Sequence, residues 1–166
     1  MSAVSSVQVG VGDSAVWIRV QGRGSFQNST GLKEFAKQMA ERGPRHFVVD
    51  LKDCELMDST FMGTLAGIAL KLGPEGSLRV IRANDRCRSI LRNLGLDRVF
   101  TVDDSSAAPP PAELHEAEGH PPREAKRETI IEAHENLVAA NPDNAVRFKD
   151  VIDFLKHEEP GDQARP

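Results

Sequence analysis

The stretch from Phe47 to Leu72, FVVDLKDCELMDSTFMGTLAGIALKL, constrains the fold more than any other. Phe47-Val48-Val49 is a short apolar run that predicts a buried strand, with Asp50 near its end. After a turn-rich segment, Asp58-Ser59-Thr60 opens an apolar helix that contains Gly63 and Leu65 and stops at Gly73-Pro74. Carboxylate and hydroxyl oxygens accept the free N–H groups of a first helical turn, so this Asp-Ser pair reads first as a cap.

The same alternation runs through the preceding and following residues. Val7, Val9 and Val11 alternate with polar or small residues, Gly12-Asp13 supplies a turn, and Val16, Ile18 and Val20 alternate on the return, which predicts a hairpin. Trp17 then faces away from Val16 and Ile18, either under a later element such as the carboxy-terminal helices or half exposed. Gly22-Arg23-Gly24-Ser25 reads as a loop, with Asn28 or Ser29 capping the next helix. Leu32, Phe35, Ala36 and Met39 form the stripe of that helix, which Gly43-Pro44 ends. Ser77–Ile81 predicts a further strand, Arg86–Leu94 a short helix with Ile90, Leu91 and Leu94 inward, and Val99–Val102 a last strand. The order β-β-α-β-α-β-α-β predicts an α/β fold: a mixed sheet with an internal parallel section and helices packed on it.

From Ser105 the composition changes. Residues 1–104 read as one domain, 105–125 as a Pro/Ala-rich linker, 126–158 as a helical hairpin, and 159–166 as a disordered tail. Ile130, Ile131, His134, Leu137 and Val138 share one face of the first tail helix; Phe148, Val151, Ile152 and Leu155 share one face of the second. Asn141-Pro142-Asp143-Asn144 is the turn between them. Helices this short are marginal alone, so the hairpin must pack on something. The net charge of −4 arises from this tail, because residues 1–104 are nearly neutral. A near-neutral domain with an acidic tail has no nucleic-acid footprint. Arg79, Arg82, Arg86, Arg88, Arg92 and Arg98 read first as a solvated face. The second reading has Arg86, Arg88 or Arg92 holding the acidic hairpin, with apolar burial carrying most of the docking. Two cysteines make neither a CxxC motif nor a disulfide framework, and five scattered His form no zinc set. No apolar run approaches a membrane span, and the amino terminus has no signal core, which predicts a cytoplasmic protein.

Two phrases in order, Asp58-Ser59-Thr60 with Gly63 and Leu65, then Leu91, Gly95, Leu96 and Phe100, resemble the STAS domain of anti-sigma factor antagonists across about residues 5–104. The resemblance implies a regulatory binding module without catalysis, cofactor or metal. Ser59 would be its phosphorylation site, with Thr60 the rival acceptor. The implied partner is an anti-sigma factor that is also a serine kinase, and a phosphatase would reset the switch. Its surface would take Asp58, Ser59, Thr60, Phe61, Met62 and, from the neighbouring loop, Ser25. Phe61 and Met62 also fit a core reading, and Phe61 stands where the family motif has Gly. The competing reading is an unphosphorylated STAS scaffold or oligomerisation module in which Ser59 only caps its helix. A homodimer through the carboxy-terminal hairpin would suit that reading.

Overall fold

The alternating valines form the centre of a seven-stranded mixed sheet in a computed structural model that describes residues 5–12, 15–43, 46–103, 110–117 and 123–157. Strands β1 (Ser6–Val11) and β2 (Val16–Gly24) pair antiparallel, with Val9 opposite Ile18. Strands β3 (His46–Asp50), β5 (Ser77–Ile81) and β6 (Thr101–Val102) extend β2 in parallel and β7 (His115–Glu116) adds to β1, giving the order β6-β5-β3-β2-β1-β7. Parallel neighbours need crossovers, and helices α1 (Phe26–Arg42), α2 (Ser59–Leu72) and α3 (Asp85–Asn93) supply them. The expected α/β architecture is thus present. Asp13, Pro44, residues 105–109 and 118–122 of the expected linker and the tail 159–166 lie outside the described residues.

Some local readings change. Helix α1 starts at Phe26 because Ser25 is its cap: its side chain accepts from Gln27 N at 3.2 Å, and Asn28 Oδ1 accepts from Ser25 N at 2.9 Å. This reciprocal box places Asn28 at the third helical position, so neither it nor Ser29 is the cap. A further strand, β4 (Cys54–Met57), pairs parallel with the end of β2. Val99 belongs to the end of a 3₁₀ turn (Leu96–Arg98), which leaves only Thr101–Val102 as strand. Within the expected linker, β7 (His115–Glu116) pairs with β1. Trp17 is buried with Val48, Ile81 and Leu114. Its cover therefore includes the linker residue Leu114, on the sheet face away from Val16 and Ile18.

The main core lies on that other face. Val7, Val9, Ile18, Phe47 and Val49 meet Leu32 and Met39 of α1, Leu65 of α2 and Leu91 of α3. Every residue of α2 from Thr60 to Ile68 is buried, so this helix is covered on all sides. Its cover comes from the tail: α4 (Arg123–Ala140) and α5 (Asn144–His157) form the expected hairpin, and α4 lies along α2. Among the described side chains of α4, Thr129, Ala133, His134 and Leu137 are buried, whereas Ile130, Ile131 and Val138 are only half-buried. Asn144 anchors the turn, its Nδ2 donating to Leu94 O at 2.9 Å and Leu137 O at 2.8 Å.

The buried carboxylate of Asp50 joins three strands. It accepts from Arg19 Nε at 3.4 Å, from Arg82 Nε at 3.1 Å and Arg82 Nη2, and from Lys52 N at 3.1 Å. Arg82 has a φ of 57°, in the left-handed region that side chains rarely adopt.

Candidate docking site at the start of α2

Strand β4 delivers the chain to Asp58, whose backbone N donates to Gly24 O at 2.8 Å. Asp58 is the cap of α2. Its Oδ1 accepts from Phe61 N at 2.8 Å, and its Oδ2 accepts from Phe26 N, in the first turn of α1, at 2.9 Å. One carboxylate therefore ties together the starts of two helices, where the free N–H groups favour negative charge. Ser59 occupies the first helical position and is not the cap, which corrects the scaffold reading's role for it.

The Ser59 hydroxyl is taken by a residue far away in sequence. Ser59 Oγ lies 2.9 Å from His134 Nε2, and His134 Nδ1 lies 2.8 Å from Ile130 O. A backbone carbonyl only accepts, so Nδ1 carries the proton; in the neutral ring Nε2 then accepts from the Ser59 O–H. The imidazole is buried and packs edge-on against Phe148, with ring centroids 5.0 Å apart. A Ser–His contact of this length is also the geometry of an activated nucleophile. Here the ring is oriented by a peptide carbonyl rather than a carboxylate. A neighbouring cavity of about 250 Å³ lies further along α2, lined by Gly67, Ile68 and Lys71 and not by Ser59. The contact reads as a latch between α2 and α4.

The other expected site residues separate into two groups. Ser25 stands beside Asp58, one residue before the Phe26 N–H that Asp58 accepts, so the two helix starts share a corner. Thr60, Phe61 and Met62 point inward: Thr60 is 5% exposed, Met62 3% and Phe61 0%. Their expected places on a docking surface are thus corrected to core positions, and Thr60 is a poorer acceptor than Ser59, which is half-buried. Phe61 is accommodated by Gly24, where an added Cβ would lie 2.6 Å from Phe61 Cδ1. We expect Gly24→Ala to lower stability by about 1–3 kcal/mol in urea unfolding, because a filled ring position cannot retreat.

Sequence reasoning missed His134 as a partner of Ser59, and it missed the seat beneath α4. At Gly63 an added Cβ would lie 2.1 Å from Ala133 O, and at Gly67 2.2 Å from Asn136 Nδ2. Gly63 and Gly67, one helical turn apart, are the signal that could have revealed it: two absent side chains on one face let a second helix approach closely.

Glu132 clasps α4 to the domain, accepting from Lys33 Nζ at 2.6 Å and lying 3.6 Å from Lys71 Nζ. Glu132 is thus held by these two lysines, and Arg88 Nε donates to Ala83 O. Burial pushes the Glu132 carboxyl up, but the Lys33 ammonium and then Lys71 outweigh it and hold the carboxyl below its ordinary value near 4.5. A lowered folded value means stabilisation that is present above that ordinary value and is lost as pH falls through the lower folded one. The pair is partly solvated, so Glu132→Gln should cost about 0–1 kcal/mol at neutral pH and nothing once the carboxyl is protonated. Urea midpoints of both proteins against pH test this: the curves should converge on acidification.

The sequence model of the Mlab, STAS domain family matches residues 7–102, more than half of the chain. The chain belongs to the STAS domain family. Solved STAS-fold structures agree. An anti-sigma factor antagonist from Mycobacterium paratuberculosis superposes with a TM-score of 0.56 at 23% identity, covering 64% of this STAS protein and 92% of that chain. A second, putative antagonist from Thermotoga maritima gives 0.54 at 19%, covering 58% and 85%. The antagonist SpoIIAA in its unphosphorylated form gives 0.50 at 15%, covering 62% and 90%. Among proteins of curated function, none matches the chain. The family match ends before α4 begins, so His134 and its helix lie beyond the matched STAS region. Among the described residues no helix is long and apolar enough to cross a membrane.

Proposed function

We propose that this STAS protein is a regulatory binding module of the anti-sigma factor antagonist type, docking on an anti-sigma factor that is also a serine kinase. Phosphorylation of Ser59 turns that docking off. The observation that carries the reading is the position of Ser59: first residue of α2, beside a carboxylate that caps the helix without needing the serine. In the modification the Ser59 Oγ–H bond is exchanged for Oγ–P, the phosphoryl coming from the kinase's ATP and the proton going to the kinase's base. A phosphoserine adds about −1.5 to −2 charge at neutral pH. The helix start tolerates it, gaining about 0.3–1 kcal/mol from the dipole, and the Asp58 cap is untouched. A docked protein surface does not tolerate it. A phosphatase returns the protein to the binding form.

The docking face comprises Ser59, the edge of Asp58 and the Ser25–Phe26 corner, where Phe26 is 44% exposed. Incubation with ATP and candidate serine kinases of the same cell, followed by mass-spectrometric mapping, tests the reading. One phosphate on Ser59 is expected; modification elsewhere with Ser59 untouched contradicts it.

A further inference from the structure

The face of α2 that carries Ser59 is occupied in this structure by the protein's own α4, and the fit is that of a helix seat. Three positions one turn apart, Ser59, Gly63 and Gly67, run along it. Into this track α4 sets His134, Ala133 and Asn136, with Asn136 Nδ2 donating to Gly63 O at 3.3 Å. The geometry points to a helix-docking surface along Ser59, Gly63 and Gly67 whose intramolecular occupant is α4 and whose external occupant is a partner helix with a small residue in the place of Ala133. The inference rests on the proposed function and adds to it the kind of partner and the element that competes with it.

Two physical consequences define the competition. An external helix cannot enter while Ala133 O sits where a Cβ on Gly63 would be, so partner docking requires α4 to leave. Nor does phosphate fit within that contact: with Nε2 2.9 Å from Ser59 Oγ, a phosphorus and its oxygens have no volume between the two atoms. Docked α4, bound partner and phosphorylated Ser59 are therefore mutually exclusive, and the apparent affinity for any partner is reduced by the fraction of molecules whose α4 is closed. Burial of Ala133, His134 and Leu137 sets that fraction, and the clasp from Lys33 and Lys71 to Glu132, with Thr30 Oγ1 donating to Thr129 Oγ1 at 3.3 Å, adds to it.

The test needs no kinase, so its failure is distinct from failure of the phosphorylation reading. In the full chain carrying Ser59→Cys, the rate at which N-ethylmaleimide labels position 59 is followed by mass spectrometry, which separates it from the buried Cys54 and Cys87. Ala133→Asp on α4 should raise that rate about tenfold or more, the change that a closure weakened by about 1.4 kcal/mol produces. The milder double variant Glu132→Gln with Asn136→Ala should raise it in the same direction. Trp17 fluorescence, reporting from the opposite face of the sheet, checks that the domain stays folded. A synthetic peptide of residues 123–140 added to the Ala133→Asp protein should slow labelling again by filling the seat from outside. Equal, rapid labelling in every background would show that α4 covers nothing, and opening without protection by the peptide would show that the seat accepts no external helix; either result overturns the inference.

Discussion

Replacing Asp50 by Ala is expected to lower the unfolding free energy by about 3 kcal/mol and the melting temperature by roughly 6–12 °C. The carboxylate is 1% exposed and receives two guanidinium groups and one backbone N–H. Removing it leaves Arg19, within β2, and Arg82, just past the end of β5, without their shared carboxylate. Their side chains are 28% and 44% exposed, so water recovers part of the loss, and the lower end of the range for a broken buried pair applies. The left-handed backbone of Arg82 adds to the effect, since its contacts with Asp50 help to hold it there. Asp50→Asn should fall between the two proteins, because it keeps an acceptor for Lys52 N. Urea or thermal unfolding measures this directly; a change within about 0.5 kcal/mol, as for an ordinary surface substitution, would mean that the cluster is not stabilising.

The second large effect concerns binding. Phosphate on Ser59 should weaken docking on the anti-sigma factor by about three decades while leaving the domain folded. Two like charges 4 Å apart at an effective dielectric near 20 repel by about 4 kcal/mol, and each 1.4 kcal/mol is a factor of ten. The repulsion acts between the phosphate and an acidic group of the partner packed against the uncharged Ser59 hydroxyl; Asp58 has both oxygens engaged with the N–H groups of Phe26 and Phe61. Ser59→Ala should bind and resist modification, and Ser59→Asp, with a single charge, should be intermediate. Because the cap belongs to Asp58, none of these changes removes the hydrogen bonds that start α2.

Much of this was legible in the residues. The alternating valines, the stripe of α1 and the apolar helix after Asp58 each obey a local period, and each of these elements lies where that period puts it. What was not legible depended on long-range partners. β7 is formed by His115 and Glu116, whose pairing with β1 leaves no apolar alternation in sequence. The cap of α1 was misplaced because Asn28 has the chemistry of a cap, yet serves as the reciprocal partner of Ser25. The inner face of α4 was read only in part, with His134 and Leu137 buried as expected, for a related reason. Apolar stripes favour Ile130 and Ile131, but a helix seated on Gly63 and Gly67 presents Ala133 and Thr129, since only small residues come that close. The Ser59–His134 contact spans 75 residues and crosses from the STAS domain to its extension, so no local pattern announces it.

The most direct measurement is the affinity of the proposed partner kinase for the unmodified protein and for the Ser59-phosphorylated protein, at one salt concentration by calorimetry. The account predicts tight binding of the first and a dissociation constant about three decades weaker for the second. Equal affinities would contradict it.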